Sequence, residues 1–344
     1  MYDQPIYWLK ELRADANDFV GKKCANLGEM THLGIPVPEG FALSVRAYEY
    51  YIEGSGAQNK IAQSIMPVLE DVAPELSMIE KVSKEIGKAF TPENIPSNLK
   101  EGIRTFYEIL CETCKHKDVP VAVRSSGAVS MPGQMETDLN IRGADNVINS
   151  VVRVWASSFT PRAIHFRAIR RLKRDDMNPS DGRIGVAILR MVMARSSGVG
   201  FTVNPMTGDR TKVMLEGNWG IGESIVQGIV VPDVFYINKE KLTLDSMSIG
   251  EKLKYYELVE SGTELREVPE EKRALPCISE QEAIELGRLA LKLEEHFKGP
   301  QDFEWAIDRD TQKLYMVQVR PAKHIPEEKK STDIILDMLS QRFK

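Results

Sequence analysis

Two short stretches carry side chains that could do chemistry. The first is QDFEWAID, residues 301–308, followed across the polar turn RDTQ by KLYMVQVRP, residues 313–321. Both read as strands with a period of two, so Asp302 and Glu304 share one face and Phe303, Trp305 and Ile307 the other. On the second strand Gln318 and Arg320 share a face with Leu314 and Met316. Centring the hairpin on Thr311 puts Glu304 opposite Gln318 and Asp302 opposite Arg320. A carboxylate beside an amide oxygen and a guanidinium suits a hard cation such as Mg²⁺, which takes oxygen ligands and completes its shell with water and phosphate. The same spacing also describes a solvated face with a cross-strand Asp–Arg pair. The second stretch is VAVRSSGAVSMPGQMETDLNIRG, residues 121–143. Arg124 ends a strand, and small residues that let backbone N–H groups approach an anion follow it. It is no G-x-x-x-x-G-K-[ST] loop, and Gly-rich turns also serve merely to connect strands.

These residues need a large scaffold, and 344 residues supply one, with two or three subdomains expected. Charged residues are 28%, hydrophobic residues 42%, and the net charge is −5. This balance suits a soluble globular protein and argues against a generic nucleic-acid binder. The N-terminus lacks a signal-peptide pattern and no apolar run is long enough to span a bilayer, so a cytoplasmic protein is expected. Cys111 and Cys114 form a C-x-x-C within an amphipathic helical pattern, and with Cys24 and Cys277 they read as thiols rather than as a redox or zinc centre.

Residues 1–20 read as a strand and connection before the helix KKCANLGEMTHLG. Helical patterns dominate 44–118. A helix with a Pro161 break follows the 121–143 stretch, strands then alternate with turns, and 279–297 is a helix. The alternation predicts α+β subdomains enclosing a cleft.

Six blocks occur in order: KKCANLGEM, VAVRSSGAVSMPGQMETDLNIRG, VWASSFTPRAIHFR, SGVGFTVNPMTG, GIGESIVQGIVVPD and QDFEWAIDRDTQKLYMVQVRP. Together they resemble the ATP-grasp nucleotide-binding domain of phosphoenolpyruvate synthase, pyruvate phosphate dikinase and rifampicin phosphotransferase, over residues 8–322. The resemblance implies an ATP-grasp fold, with an N-terminal subdomain at 1–190, a C-terminal subdomain at 191–325 and a linker with a docking helix at 326–344. It implies ATP and Mg²⁺ (or Mn²⁺) as cofactors. Lys23, Arg124 and Arg320 match family residues that contact the phosphates and act in catalysis. Gly133, Gln134 and Thr137 match the loop that closes over the phosphates. Glu304 and Gln318 match the metal- and ATP-binding pair. Met191 and Val192 fall at the adenine hinge.

Two positions depart from the family pattern. The second glycine of the G-G-K block is Lys22, and the glutamine that precedes the hinge is Leu189. The phosphate loop also lacks the acidic pair of the synthase and rifampicin branches. Full-length relatives carry a phosphate-accepting histidine on a swivelling domain, and none of His32, His116, His165, His296 and His324 has that sequence context. The expectation is therefore an ATP-binding subunit that phosphorylates a histidine on a separate partner while ATP becomes AMP and phosphate, with a small molecule as final acceptor. By analogy with phenylphosphate synthase that acceptor would be phenol. The alternatives are the nucleotide-binding domain of a synthase, dikinase or rifampicin phosphotransferase, and a non-catalytic regulatory module. The tail beyond Ala322 has an apolar stripe, Ile334, Ile335 and Met338, extended by Leu339, suited to docking the partner or packing on its own domain.

Overall fold

The structure is a computed structural model that describes residues 2–71, 74–128, 137–174, 181–260 and 262–323. Gly133, Gln134, His324 and the docking helix lie outside the described residues. The chain divides into two compact units: residues 1–34, 38–191 and 260–262 form the first, and 35–37, 192–259 and 263–344 the second.

The first unit is built on a five-stranded antiparallel sheet, from β1 (Ile6–Trp8), β2 (Gly40–Leu43), β3 (Val121–Ser126), β4 (Thr137–Ile141) and β5 (Gly185–Arg190). Their spatial order is β1-β2-β5-β3-β4. Helix α1 (Asn17–His32) precedes β2, and α2 (Val45–Ser55), α3 (Ala57–Glu70), α4 (Leu76–Gly87) and α5 (Ser97–Thr113) fill the expected helical region. Then come α6 (Ala144–Ala156) and α7 (Pro161–Arg174). Proline breaks the run where its ring would clash with the preceding turn, and it starts the next helix, where its missing N–H costs nothing. The core gathers Phe41, Tyr51, Trp155, Phe159 and Ile188, with the Tyr51 and Trp155 rings 5.1 Å apart.

The second unit carries a six-stranded antiparallel sheet: β6 (Ala194–Phe201), β7 (Lys212–Trp219), β8 (Asp233–Asn238), β9 (Thr243–Ser248), β12 (Gln301–Asp308) and β13 (Leu314–Pro321). The spatial order is β13-β12-β6-β7-β8-β9. A separate hairpin joins β10 (Lys254–Leu258) to β11 (Thr263–Glu267). The helices are α8 (Glu223–Val226), α9 (Glu270–Arg273) and α10 (Glu280–Phe297). A capping box starts α10: Ser279 Oγ accepts from the Glu282 N–H, and the Glu282 carboxylate accepts from the Ser279 N–H.

Aromatic packing decides which way β12 faces. Phe303 is paired with Gly200 and Trp305 with Gly198. A Cβ on Gly200 would lie 2.1 Å from the Phe303 ring, and one on Gly198 would lie 2.7 Å from that of Trp305. The glycines of SGVGF therefore leave room for two buried rings. Because side chains alternate, burying Phe303, Trp305 and Ile307 turns Asp302 and Glu304 to the opposite face. Both units are thus mixed α+β with antiparallel sheets.

No helix among the described residues is long and apolar enough to cross a membrane. Cys24, Cys111, Cys114 and Cys277 are free thiols. Burial pushes the Cys24 thiol up to about 11, which keeps it protonated and inert.

Candidate functional site

In the first unit the site is made where α1 meets the end of β3. Gly21 sits at φ +78° and ψ 159°, a backbone conformation open to glycine, and breaks α1 into two segments. A Cβ there would come within 1.8 Å of the Ser126 carbonyl oxygen, so the close approach also requires glycine. Three hydrogen bonds bind the turn to the strand end. The Lys22 N–H donates to the Gly127 carbonyl at 3.0 Å, the Cys24 N–H to Ser126 Oγ at 3.1 Å, and Lys23 Nζ to the Ser125 carbonyl at 2.7 Å. Lys23 is thereby held next to the strand that carries Arg124, 101 positions away in sequence. Arg124 is half-buried and lies directly opposite Thr137 in the β3–β4 ladder. Lysine, guanidinium and hydroxyl, read from two separate motifs, converge on one strand end. Such a set of donors suits a polyanion.

In the second unit the hairpin register places Glu304 opposite Gln318 and Asp302 opposite Arg320, as the centred turn predicts. Gln318 Nε2 donates to Glu304 Oε1 at 2.9 Å, and Arg320 Nε to Asp302 Oδ2 at 3.1 Å. Burial raises the Asp302 carboxyl above its ordinary value, although the Arg320 guanidinium pulls the other way. One expectation fails. A bulge after Glu304 shifts the register by one residue, so Met316 pairs with Trp305 and Leu314 with Ile307. Leu314 and Met316 therefore lie on the aromatic face, not with Gln318 and Arg320. Met316 is fully buried there, and the bulge lets one strand bury it while still turning Gln318 toward Glu304.

Sequence reasoning missed two residues. One is Gly21. The other is Glu216 on β7, in the cross-strand row Gln318–Glu304–Val199–Glu216. It is half-buried, and burial alone pushes its carboxyl above the ordinary glutamate value. A charged residue inside the apolar run KVMLEGNW was the available signal.

At the hinge, the Met191 N–H donates to the Pro120 carbonyl and the Val192 carbonyl accepts from the Ala194 N–H, each at 2.8 Å. The Val192 side chain is buried with Ala306 and Tyr315. Any contact of Val192 with a base would therefore use its backbone. Leu189 is buried between β2 and β3.

No group of three or more His, Cys, Asp or Glu side chains gathers around a common metal position among the described residues. The donor set nevertheless suits a hard divalent ion. Glu304 and Gln318 offer a carboxylate and an amide oxygen side by side, the kind of partial shell that Mg²⁺ completes with water and phosphate.

These two α+β units, one with clustered cationic and hydroxyl donors and the other with a carboxylate–amide–arginine hairpin, have the chemistry of a nucleotide-binding protein. The family described as pyruvate phosphate dikinase, AMP/ATP-binding domain, matches residues 17–340, and the chain belongs to it. It is 35% identical over 337 residues to a probable phosphoenolpyruvate synthase of Methanothermobacter thermautotrophicus, covering 96% of this chain and 47% of that protein. It is 35% identical over 352 residues to a phosphoenolpyruvate synthase of Aeropyrum pernix, covering 92% of this chain and 42% of that protein. The chain thus spans about half the length of the curated relatives it matches. A solved D-alanyl-alanine synthetase A from Vibrio cholerae gives a TM-score of 0.34 at 10% identity, over 96% of this chain and 66% of that one, a likeness too slight to argue from.

Proposed function

We propose that this chain is the nucleotide-binding part of a dikinase-type phosphotransferase of the phosphoenolpyruvate synthase kind. It binds ATP and delivers the β-phosphoryl group to a histidine on another domain or subunit. With one water consumed, ATP becomes AMP and phosphate, and the phosphohistidine passes its group to a small acceptor. The relatives above are phosphoenolpyruvate synthases, which favours pyruvate over the phenol suggested by a separate-subunit analogy. The pairing of Glu304 with Gln318 and Asp302 with Arg320 on one sheet face carries the reading, because a regulatory module that only binds nucleotide has less use for a metal-binding pair.

Phosphoryl transfer asks a protein chiefly for positioning and charge neutralisation. The family resemblance assigns Lys23, Arg124 and Arg320 as the cations for the triphosphate. Arg124 and Arg320 can each engage two phosphate oxygens at once, Thr137 adds a hydroxyl, and the family resemblance assigns further neutral donors to Gly133 and Gln134. Met191 and Val192 offer backbone groups to the base. Glu304 and Gln318 would hold Mg²⁺, which when bound neutralises developing charge on the phosphates.

The test uses ATP labelled at the β-phosphorus, the chain, and a histidine-bearing swivelling domain from a related synthase. Label on the histidine together with AMP is the expected result. Release of ADP with γ-phosphoryl transfer, or label that never reaches the histidine, would overturn the proposal.

A further inference from the structure

A cavity of about 250 Å³ lies within the second unit, against the end of its sheet. Its wall includes Arg195 at the start of β6, Trp219 at the end of β7, Tyr255 and Glu257 on β10, Lys272 on α9, and Arg309 in the turn after β12. It is distinct from the Glu304 surface. Trp219 belongs to the cross-strand row with Ser196 and Ile307, on the sheet face opposite Glu304 and Gln318.

The lining has more donors and positive charge than its own contacts use. Arg195 Nη2 binds Glu282 at 2.7 Å, yet its buried Nε has no hydrogen-bond partner. Arg309 reaches Glu257 at 3.8 Å and Asp310 at 3.7 Å, beyond hydrogen-bond range. Glu257 also faces Arg266, outside the lining, at 3.1 Å. The Lys272 ammonium stands 5.8 Å from the centre of the Trp219 ring, while Trp219 Nε1 donates to the Lys272 carbonyl at 3.3 Å and fixes the indole. Burial raises the Tyr255 phenol, so it stays a hydrogen-bond donor across the working pH range. Tyr256, in contrast, is used structurally, with its carbonyl bound by the Ile221 N–H and its hydroxyl donating to Gln227.

Three cations and a fixed indole wall, set against one lining carboxylate, define a ligand chemistry. The cavity exceeds what a single water or oxyanion fills, since a water occupies about 30 Å³ of liquid. We propose that it binds a small organic anion with a planar ring, the ring against Trp219 and the acidic group among Arg195, Lys272 and Arg309. Carboxylates and phosphate monoesters share this chemistry. Because Trp219 faces away from Glu304 and Gln318, a ring against it does not compete for that carboxylate–amide pair.

Benzoate and phenyl phosphate are the probes, titrated into the whole chain while tryptophan emission is followed and binding heat is measured separately. The expected result is saturable binding at millimolar concentration by at least one of them, with an emission change that Trp219→Phe abolishes. Benzoate alone would make the head group a carboxylate; phenyl phosphate alone would make it a phosphate ester. Lys272→Met and Arg309→Gln alter partly exposed side chains and should each weaken binding about tenfold, or about 1.4 kcal/mol, with the thermal midpoint and ATP affinity unchanged. The proposal is overturned if neither probe saturates, if inorganic phosphate or cyclohexanecarboxylate binds as well as the aromatic probes, or if both variants bind like the parent.

Discussion

Gly21→Ala should damage the fold and the candidate site together. The new methyl would sit 1.8 Å from the Ser126 carbonyl oxygen, a distance no rotamer can relieve because both atoms belong to or hang directly from backbone. The turn must move away from β3. Moving it endangers the bonds from Lys22 N–H, Cys24 N–H and Lys23 Nζ to Gly127, Ser126 and Ser125. At about 1 kcal/mol net for each hydrogen bond, the loss is about 3 kcal/mol. Lys23 loses its anchor in the same movement, so ATP affinity should fall by about tenfold or more, the equivalent of about one charge-assisted hydrogen bond. Gly34→Ala is the control. Gly34 has φ +69° but open space around its would-be Cβ, so the substitution should cost about 1 kcal/mol of backbone strain and leave ATP binding alone. Denaturant unfolding and ATP titration of both variants separate the effects. If Gly21→Ala unfolds and binds ATP like the Gly34→Ala variant, the close approach of α1 to β3 does not hold Lys23 in place.

Other positions give independent tests. Lys252 and Asp233 are fully buried, 2.5 Å apart, and Asp233 also accepts from the Gly250 and Cys277 N–H groups. Lys252→Met strands the Asp233 charge and should cost about 3–5 kcal/mol in urea unfolding; an unchanged midpoint would refute the pairing argument. Glu216 tests burial through pH. Its carboxyl is raised above 4.5 by burial, so the folded state holds its proton longer than the unfolded state does. Stability should therefore fall as pH rises from the ordinary glutamate value through the raised one, and stay lowered above it. Glu216→Gln should remove that decline, and a stability difference between parent and variant that does not change with pH would contradict it.

The candidate hairpin was legible because three constraints agree: period-two alternation, a polar turn of fixed length, and aromatic residues that must be buried. These fix the register at Glu304 and Asp302. The bulge beyond Glu304 was not legible, because whether Met316 or Val317 turns inward depends on the Trp305 environment, which neighbouring strands supply. Pro161 marked its helix boundary because proline acts locally. The start of α1 was read too late, at Lys22, since the segment before Gly21 is helical and the break between the two depends on a strand about a hundred residues away. Glu216 escaped notice for a related reason. One charged residue in an apolar strand acquires meaning when register aligns it with Glu304, and that register passes through β6.

The hairpin is proposed to bind ATP through a divalent cation held at Glu304 and Gln318. The direct measurement is calorimetric titration of ATP into the parent chain and Glu304→Ala, each with and without Mg²⁺. The parent should bind ATP more tightly with Mg²⁺, and Glu304→Ala should lose that increment while keeping the parental unfolding midpoint, because an incompletely buried carboxylate contributes little to packing. Equal affinity of the parent with and without Mg²⁺, or a Glu304→Ala chain that retains the full Mg²⁺ increment, would contradict the account.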